Sequence, residues 1–172
     1  MSDVCDIDVS FVMSVYNKEY YLPAVLDALL NQSGLKNPEF IFVDDVSKDK
    51  SVEIIRNKTK DIKNVTIVAK DKNDGISMTV NQGIRLARGK WVRMLDSDDI
   101  LPLNSTKKMI ELADKHNADM VYGCFIKTGK EPLELTNEVV CSAKVLLALL
   151  AALATSSNVS FIMNLRKFFL YI

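Results

Sequence analysis

Three carboxylates fall within four residues, at Asp96, Asp98 and Asp99, directly after the apolar run Trp91 to Leu95. Like charges this close repel one another, and one of them is driven towards protonation unless a cation lies among them. Mg²⁺ and Mn²⁺ are hard ions that prefer carboxylate oxygens. The pattern therefore indicates a divalent-cation site. The alternative is an ordinary acidic turn whose first Asp caps the helix that begins near Asn104.

Three other apolar runs also end in polar or acidic residues. VSFVMSVY is followed by Asn17 to Glu19, FIFV by Asp44 and Asp45, and NVTIVAK by the turn Asp71 to Gly75. Helical patterns separate these runs, and this alternation predicts an α/β fold with a mostly parallel central sheet flanked by helices on both faces. In such sheets the ligand crevice lies beyond the carboxyl ends of the strands. The four strand ends therefore predict a single active crevice.

The elements that position these residues follow from the spacing of apolar side chains. Alternating or continuous β-rich runs predict strands at residues 9–16, 40–43, 65–69, 91–95 and 120–126. Helical spacing predicts helices at residues 21–30, 76–88 and about 105–116. A further helix holds Val52, Ile54 and Ile55, and Ser47 and Asp49 offer it caps.

Composition excludes several classes of protein. The 172 residues predict one domain, and 22 basic against 22 acidic side chains leave no net charge to recruit nucleic acid. The scattered Cys5, Cys124 and Cys141 lack metal-ligand spacing, and the N-terminus lacks a signal-peptide pattern. No apolar run reaches the roughly 18 residues of a spanning helix. A cytoplasmic location is expected, either free or peripheral at the inner face of the membrane.

Taken together, VMSVYNKEYYL, FVDDVSKDKS and NDGISMTVNQGIRLARGKWVRMLDSDD resemble the donor-binding half of a family 2 glycosyltransferase with the GT-A fold. The resemblance covers Val9 to about Ile126. The sequence departs from the family pattern at two places. Val46 stands where the family usually has Gly, and Met78 to Val80 replace a stretch that is usually small and basic. The resemblance implies a nucleotide-diphosphate sugar donor, with UDP favoured, a Mn²⁺ or Mg²⁺ cofactor, and a glycan or lipid-linked acceptor in polysaccharide biosynthesis. It also implies a metal-dependent, inverting transfer to an acceptor hydroxyl.

The resemblance assigns donor contacts at the first two strand ends. Ser14, Tyr16 and Glu19 lie where the family contacts the nucleoside. Asp45 lies where an Asp accepts a hydrogen bond from the base, whereas the neighbouring Asp44 is predicted to be structural.

Further assignments fall on the other two strand ends. Asn73 and Gly75 are predicted donor contacts because their turn follows a strand. Asp96 and Asp98 occupy the motif that holds the ribose and the metal. Asp98 and Asp99 are the predicted metal ligands, and Asp96 is the alternative to Asp99 because the motif can be registered in two ways.

The chain is predicted to divide near residue 138, into a donor-binding core at 1–138 and an incomplete acceptor-side segment at 139–172. Displacement at a sugar carbon needs a base, which the family places in an acidic motif beyond the acceptor-binding segment. No Asp or Glu follows Glu138, so the catalytic residues are unknown and transfer is expected to be absent or very slow. The apolar tail, Val145 to Ala154 and Phe161 to Ile172, predicts a core helix and strand missing their partners. The alternative for the tail is an interfacial anchor, and its apolar surface is expected to pair the chain with a second copy or a membrane. The alternative to a glycosyltransferase is a non-catalytic, truncated module that binds nucleotide, or only a partner or membrane surface.

Overall fold

The structure, a computed structural model, describes residues 7–124, 138–141 and 159–164. The first five elements are β1 (Val9–Val15), α1 (Leu22–Leu30), β2 (Glu39–Asp44), α2 (Ser51–Thr59) and β3 (Val65–Ala69). The next are α3 (Ile76–Leu86), β4 (Trp91–Asp96), α4 (Ser105–His116), β5 (Met120–Cys124), β6 (Glu138–Cys141) and β7 (Val159–Asn164). Within these ranges no helix combines the length and the apolarity needed to cross a bilayer.

The strands form one seven-stranded sheet in the order β3-β2-β1-β4-β7-β5-β6. β3, β2, β1 and β4 run parallel, whereas β7 is antiparallel to both β4 and β5, and β6 is antiparallel to β5. β2 and β3 lie on one side of β1, and the next strand, β4, lies on the other side. The strand order therefore reverses between β1 and β4. Ligands bind at such reversals in open α/β sheets.

Alternating side chains of the parallel strands build a core on each face of the sheet. One face buries Phe11, which stacks on Phe40 with ring centroids 5.4 Å apart, together with Trp91. The opposite face buries a smaller cluster around Val12, against which α3 packs. Gly83 allows this close approach, because a Cβ there would collide with the Val12 side chain.

The structure confirms the predicted α/β architecture, including the four parallel strands and the four helices. α3 ends at Leu86 rather than at residue 88, because the chain turns there and the N–H groups of residues 88 and 89 bond to side chains at the starts of β2 and β1. β5 is antiparallel to its neighbours, and β6 was not predicted. The apolar tail was expected to contain a strand without partners. That expectation is wrong for β7, which pairs with β4 on one side and with β5 on the other. The predicted helix at 145–154 lies outside the described residues.

A buried polar network joins the ends of β1 and β2 farthest from the predicted crevice. The Glu39 carboxylate, 1% exposed, accepts hydrogen bonds from Ser10 Oγ at 2.6 Å and from the Arg88 backbone N–H at 2.9 Å. Arg88 Nε also donates to it at 2.7 Å, and the Gly89 N–H donates to Ser10 Oγ at 2.8 Å. The network therefore fixes the turn that delivers the chain from α3 into β4.

Replacing Glu39 by Ala should lower the free energy of unfolding by about 2–4 kcal/mol, because it leaves buried donors without an acceptor. Urea titration followed by circular dichroism measures this loss. The control is Glu111→Ala on the exposed face of α4, where the change should stay within about 0.5 kcal/mol. Equal losses in the two variants would contradict a special role for the network.

Candidate functional site

A crevice of about 370 Å³ lies at the carboxyl ends of β1, β2 and β4. Sheet register creates it, since Ser14 is paired with Asp96 and Val15 with Asp44 across neighbouring strands. The residues that line it are Ser14, Val15, Tyr16, Lys18, Asp45, Ile76, Thr79, Asp96, Ser97 and Asp98.

Part of the predicted site lines this crevice and part does not. The predicted residues that line it are Ser14, Tyr16, Asp45, Asp96 and Asp98. The predicted residues outside the lining are Glu19, Asn73, Gly75 and Asp99. The sequence analysis assigned no individual role to five lining residues, which are Val15, Lys18, Ile76, Thr79 and Ser97. Position alone offered a signal for two of them, because Ile76 and Thr79 fall in the first turn of the helix that follows the NDG turn.

The two adjacent aspartates at the end of β2 have different surroundings. Asp44 Oδ2 accepts a hydrogen bond from the Ser47 backbone N–H at 2.9 Å, which closes the turn after β2. Asp45 instead lines the crevice, although its side chain is 5% exposed. This geometry supports a structural role for Asp44 and leaves Asp45 as the candidate ligand contact.

Asp45 is held by the loop between β3 and α3. Its Oδ1 accepts from Lys70 Nζ at 2.7 Å, and its Oδ2 accepts from the Gly75 N–H at 3.0 Å. Asn73 Nδ2 donates to the Asp45 carbonyl at 2.9 Å, and Lys70 also donates to Thr79 Oγ1 at 3.0 Å. Gly75 has a φ of +89°, a conformation that favours glycine. Asn73 and Gly75 therefore support Asp45, and its oxygens keep the capacity to accept one more donor.

Five hydrogen bonds join the loop after β1 to the loop after β2. Two involve Glu19, whose N–H donates to Asp49 Oδ2 at 2.9 Å and whose Oε2 accepts from the Lys50 N–H at 3.0 Å. The others join Asn17 N to Ser47 Oγ, Lys48 N to Asn17 Oδ1, and Lys18 N to Ser51 Oγ. The carboxylate of Glu19 is thus directed to the start of α2, where unpaired N–H groups attract an acceptor. Its contacts do not support the predicted role at the nucleoside.

Val46 lies between these loops with a φ of +68°. This is the left-handed region, which β-branched residues rarely adopt and which glycine adopts freely. The position is one of the two where the sequence departs from the family pattern. Its backbone geometry explains why glycine is usual there.

The carboxylates after β4 are crowded. Asp99 N–H donates to the Asp96 carbonyl at 3.2 Å, so the residues form a tight turn. Burial raises the pKa of Asp96, the charge of Asp98 raises it further, and Lys18 partly offsets this. The pKa of Asp99 is likewise raised by burial and then by Asp96 and Asp98. The turn therefore holds more negative charge than Lys18 neutralises.

Among the residues the structure describes, no three acidic, histidine or cysteine side chains converge to hold a metal ion. A nucleotide-borne Mg²⁺ or Mn²⁺ commonly takes only one or two protein carboxylates, however, and completes its shell with phosphate oxygens and water. Asp96 and Asp98 line the crevice and fit that requirement, whereas Asp99 lies outside the lining. Of the two predicted registers, the geometry favours the one that pairs Asp98 with Asp96.

A buried arginine holds the segment that follows the acidic turn. Arg93, 2% exposed, donates from Nη1 to Ser105 Oγ at 2.9 Å and to Thr106 Oγ1 at 2.5 Å, at the start of α4. Burial lowers the pKa of Arg93 to about 10, so it stays charged at neutral pH. Gln32 accepts from Thr106 Oγ1 at 2.8 Å and donates to the Pro102 carbonyl at 2.8 Å. Residues 97–104 are thereby anchored to β4 and to the loop that follows α1.

Without ligand, Asp96→Asn should raise the melting temperature at pH 7 by about 1–3 °C, because it removes one of the repelling charges. The folded-state pKa of Asp96 is raised, so its destabilising effect is present above that pKa and fades as the pH falls through it. The advantage of the variant should therefore shrink towards pH 4. Differential scanning fluorimetry across this range measures it.

Asp114→Asn is the control for this comparison, since Asp114 pairs with Lys90 away from the crevice. Its melting temperature should stay within about 1 °C of the parent. A stabilisation by Asp96→Asn that is equally large at pH 4 and pH 7 would contradict an electrostatic cause.

Comparison with known proteins identifies the family. A model described as glycosyl transferase family 2 matches residues 10–155. The minor teichoic acid biosynthesis protein GgaB of Bacillus subtilis is 32% identical over 114 residues, which are 66% of this chain and 13% of that protein. The poly(ribitol-phosphate) β-glucosyltransferase of Bacillus spizizenii is 31% identical over 117 residues, 67% of this chain and 18% of that protein. The chain thus spans less than a fifth of the length of either relative.

Solved structures agree with the sequence match. Residues 1–349 of S. aureus TarS, in complex with UDP, superpose with a TM-score of 0.67 at 25% identity, covering 74% of this chain and 38% of that chain. The parallel strands, the crevice at their carboxyl ends and these similarities lead to one assignment. The chain belongs to glycosyl transferase family 2 and has the GT-A fold of that family.

Proposed function

We propose that the chain binds a nucleotide-diphosphate sugar, with UDP as the favoured nucleotide, and serves in glycosyl transfer to an acceptor hydroxyl. The observation that carries this proposal is the placement of Asp45 and the pair Asp96 and Asp98 on one crevice at a strand-order reversal. Asp45 would take the base, and the pair would take the cation that accompanies the diphosphate. The complex of TarS with UDP supports the choice of nucleotide.

The base end of the crevice has the chemistry to hold a flat, hydrogen-bonding ring. Tyr16 and Ile76 line it and are 49% and 63% exposed, so apolar surface is available on which a base can lie. Asp45 is an acceptor, and uracil offers a single imide N–H to such a group. Cytosine lacks that N–H, whereas guanine has donors of its own, so titration with UDP and with GDP distinguishes uridine from guanosine.

At the phosphate end, Asp96 and Asp98 would hold Mn²⁺ or Mg²⁺. When bound, such an ion neutralises the charge that develops on the leaving diphosphate. Asp99 would add to the negative potential without touching the ion. Ser14 is paired with Asp96 at the end of β1 and is suited to contact the nucleoside beside it.

Direct displacement with inversion also needs a group that takes the proton of the acceptor hydroxyl. Within the described crevice lining, the carboxylates are Asp45, Asp96 and Asp98, and the proposal assigns all three to the donor and its cation. Donor binding is therefore the function that we propose for residues 7–124, and no residue is assigned as the catalytic base. The acceptor would be a glycan or a lipid-linked glycan.

Calorimetry should show that UDP binds in the presence of Mn²⁺ or Mg²⁺ and binds at least tenfold more weakly in excess chelator, because two carboxylates repel an unscreened diphosphate. Asp98→Asn should lose most of the cation dependence. Asp27→Asn, on the exposed face of α1, should retain it. Equal affinity with and without chelator would remove the cation from the proposal.

Replacing Asp45 by Ala should weaken UDP binding by about 1–3 kcal/mol, or roughly fivefold to 150-fold, because the base donor loses its acceptor. The affinity for Mn²⁺-pyrophosphate should stay near that of the parent, since pyrophosphate has no base. Titrating both ligands separates a contact with the base from a general distortion of the crevice. An equal loss for both ligands would place Asp45 outside the base subsite.

A further inference from the structure

We propose that Lys18 is a resident counter-cation that a divalent ion must displace from Asp98, so that Lys18 sets the affinity of the empty crevice for that ion. This inference rests on the proposed function, because it assumes that Asp96 and Asp98 receive a cation. It adds a role for a residue of the motif VMSVYNKEYYL to which the sequence analysis assigned none.

The first support is the position of the Lys18 ammonium. Its Nζ lies 2.5 Å from Asp98 Oδ2, and both residues line the crevice. The side chains of Lys18 and Asp98 are 29% and 41% exposed, so the pair is only partly screened by solvent. The ammonium therefore occupies the place of a cation on the carboxylate that is central to the acidic turn.

The second support is that hydrogen bonds fix the main chain of Lys18, so its ammonium can leave Asp98 without a change in the backbone. Its N–H donates to Ser51 Oγ at 2.8 Å, and its carbonyl accepts from the Tyr21 and Leu22 N–H groups at 3.0 Å. Displacement thus requires only rotation of a flexible four-carbon stem. The centroid of the Tyr21 ring lies 5.4 Å from Nζ, so the ammonium has a favourable partner close by when it leaves Asp98.

Mutual exclusion of the two cations follows from distance. A Mg²⁺ or Mn²⁺ ion bonds a carboxylate oxygen at about 2.0–2.2 Å, so an ion on Asp98 Oδ2 would lie within about 5 Å of the ammonium. Cations at that separation repel strongly in a partly buried site. The turn carries three carboxylates, so one ammonium leaves an excess negative charge that a divalent ion can neutralise after Lys18 has moved.

The test measures Mn²⁺ binding in the absence of nucleotide, by electron paramagnetic resonance of free Mn²⁺. Lys18→Met keeps the length of the stem and removes the charge, and we expect it to bind Mn²⁺ about threefold to tenfold more tightly than the parent. Lys18→Arg restores the charge and should return the affinity to the parent value. The matched control is Lys58→Met, which removes another lysine paired at 2.6 Å, with Asp27 outside the crevice, and should leave the affinity unchanged.

A second readout is the melting temperature, measured without and with Mn²⁺. Without Mn²⁺, Lys18→Met should melt at a lower temperature than the parent. Added Mn²⁺ should raise the melting temperature of Lys18→Met by more than it raises that of the parent. Mn²⁺ affinity in Lys18→Met that equals or falls below that of the parent would overturn the inference, as would an equal gain in Lys58→Met. Absence of Mn²⁺ binding in every variant would overturn it too.

Failure of the proposed function gives a different result. If Lys18→Met gains Mn²⁺ affinity while no variant binds UDP, the displacement inference stands and the nucleotide assignment fails. If the parent binds UDP only with Mn²⁺ while Lys18→Met shows no gain, the nucleotide assignment stands and the inference fails.

Discussion

The parallel pairing of β1 with both β2 and β4 is the constraint on which the site depends. Hydrogen-bonded register sets Ser14 beside Asp96 and Val15 beside Asp44, so residues distant in sequence reach one edge of the sheet together. A shift by one residue would turn each of these side chains to the opposite face. The core on both faces, together with the Glu39 network at the far ends of the strands, holds that register.

Asp45 and the acidic turn after β4 have opposite electrostatic surroundings. Asp45 already accepts from Lys70 and from loop N–H groups, so its geometry is fixed before any ligand arrives. Burial raises the pKa of both Asp96 and Asp99, and the negative charges of the neighbouring carboxylates raise them further. One end of the crevice is therefore preorganised, and the other end gains stability only when positive charge is supplied.

Much of the fold followed from sequence because apolar periodicity and strand-end polarity are local signals. The parallel strands and the four helices were predicted in this way, and so was the chemistry of the acidic turn. Lys18 and Thr79 were missed because their approach to the crevice depends on how separate loops pack. Glu19 was assigned by its place in a motif, but its carboxylate accepts a hydrogen bond from the Lys50 N–H just before α2. Pairing of β7 with β4 and β5 was also beyond reach, since contacts between distant segments leave no periodic pattern. The residue roles and the division at residue 138 stay predictions.

The position of β7 has a consequence for how the protein forms during synthesis. β7 joins the sheet between β4 and β5, although it follows both by more than thirty residues in the chain. Until Val159–Asn164 leaves the ribosome, the edge of β4 that it covers has no strand on it, and such an edge can pair with another chain. The residues that line the donor crevice all precede Asp99, so they can assemble before β7 is synthesised. The nascent chain can therefore form its ligand site before β7 completes the sheet.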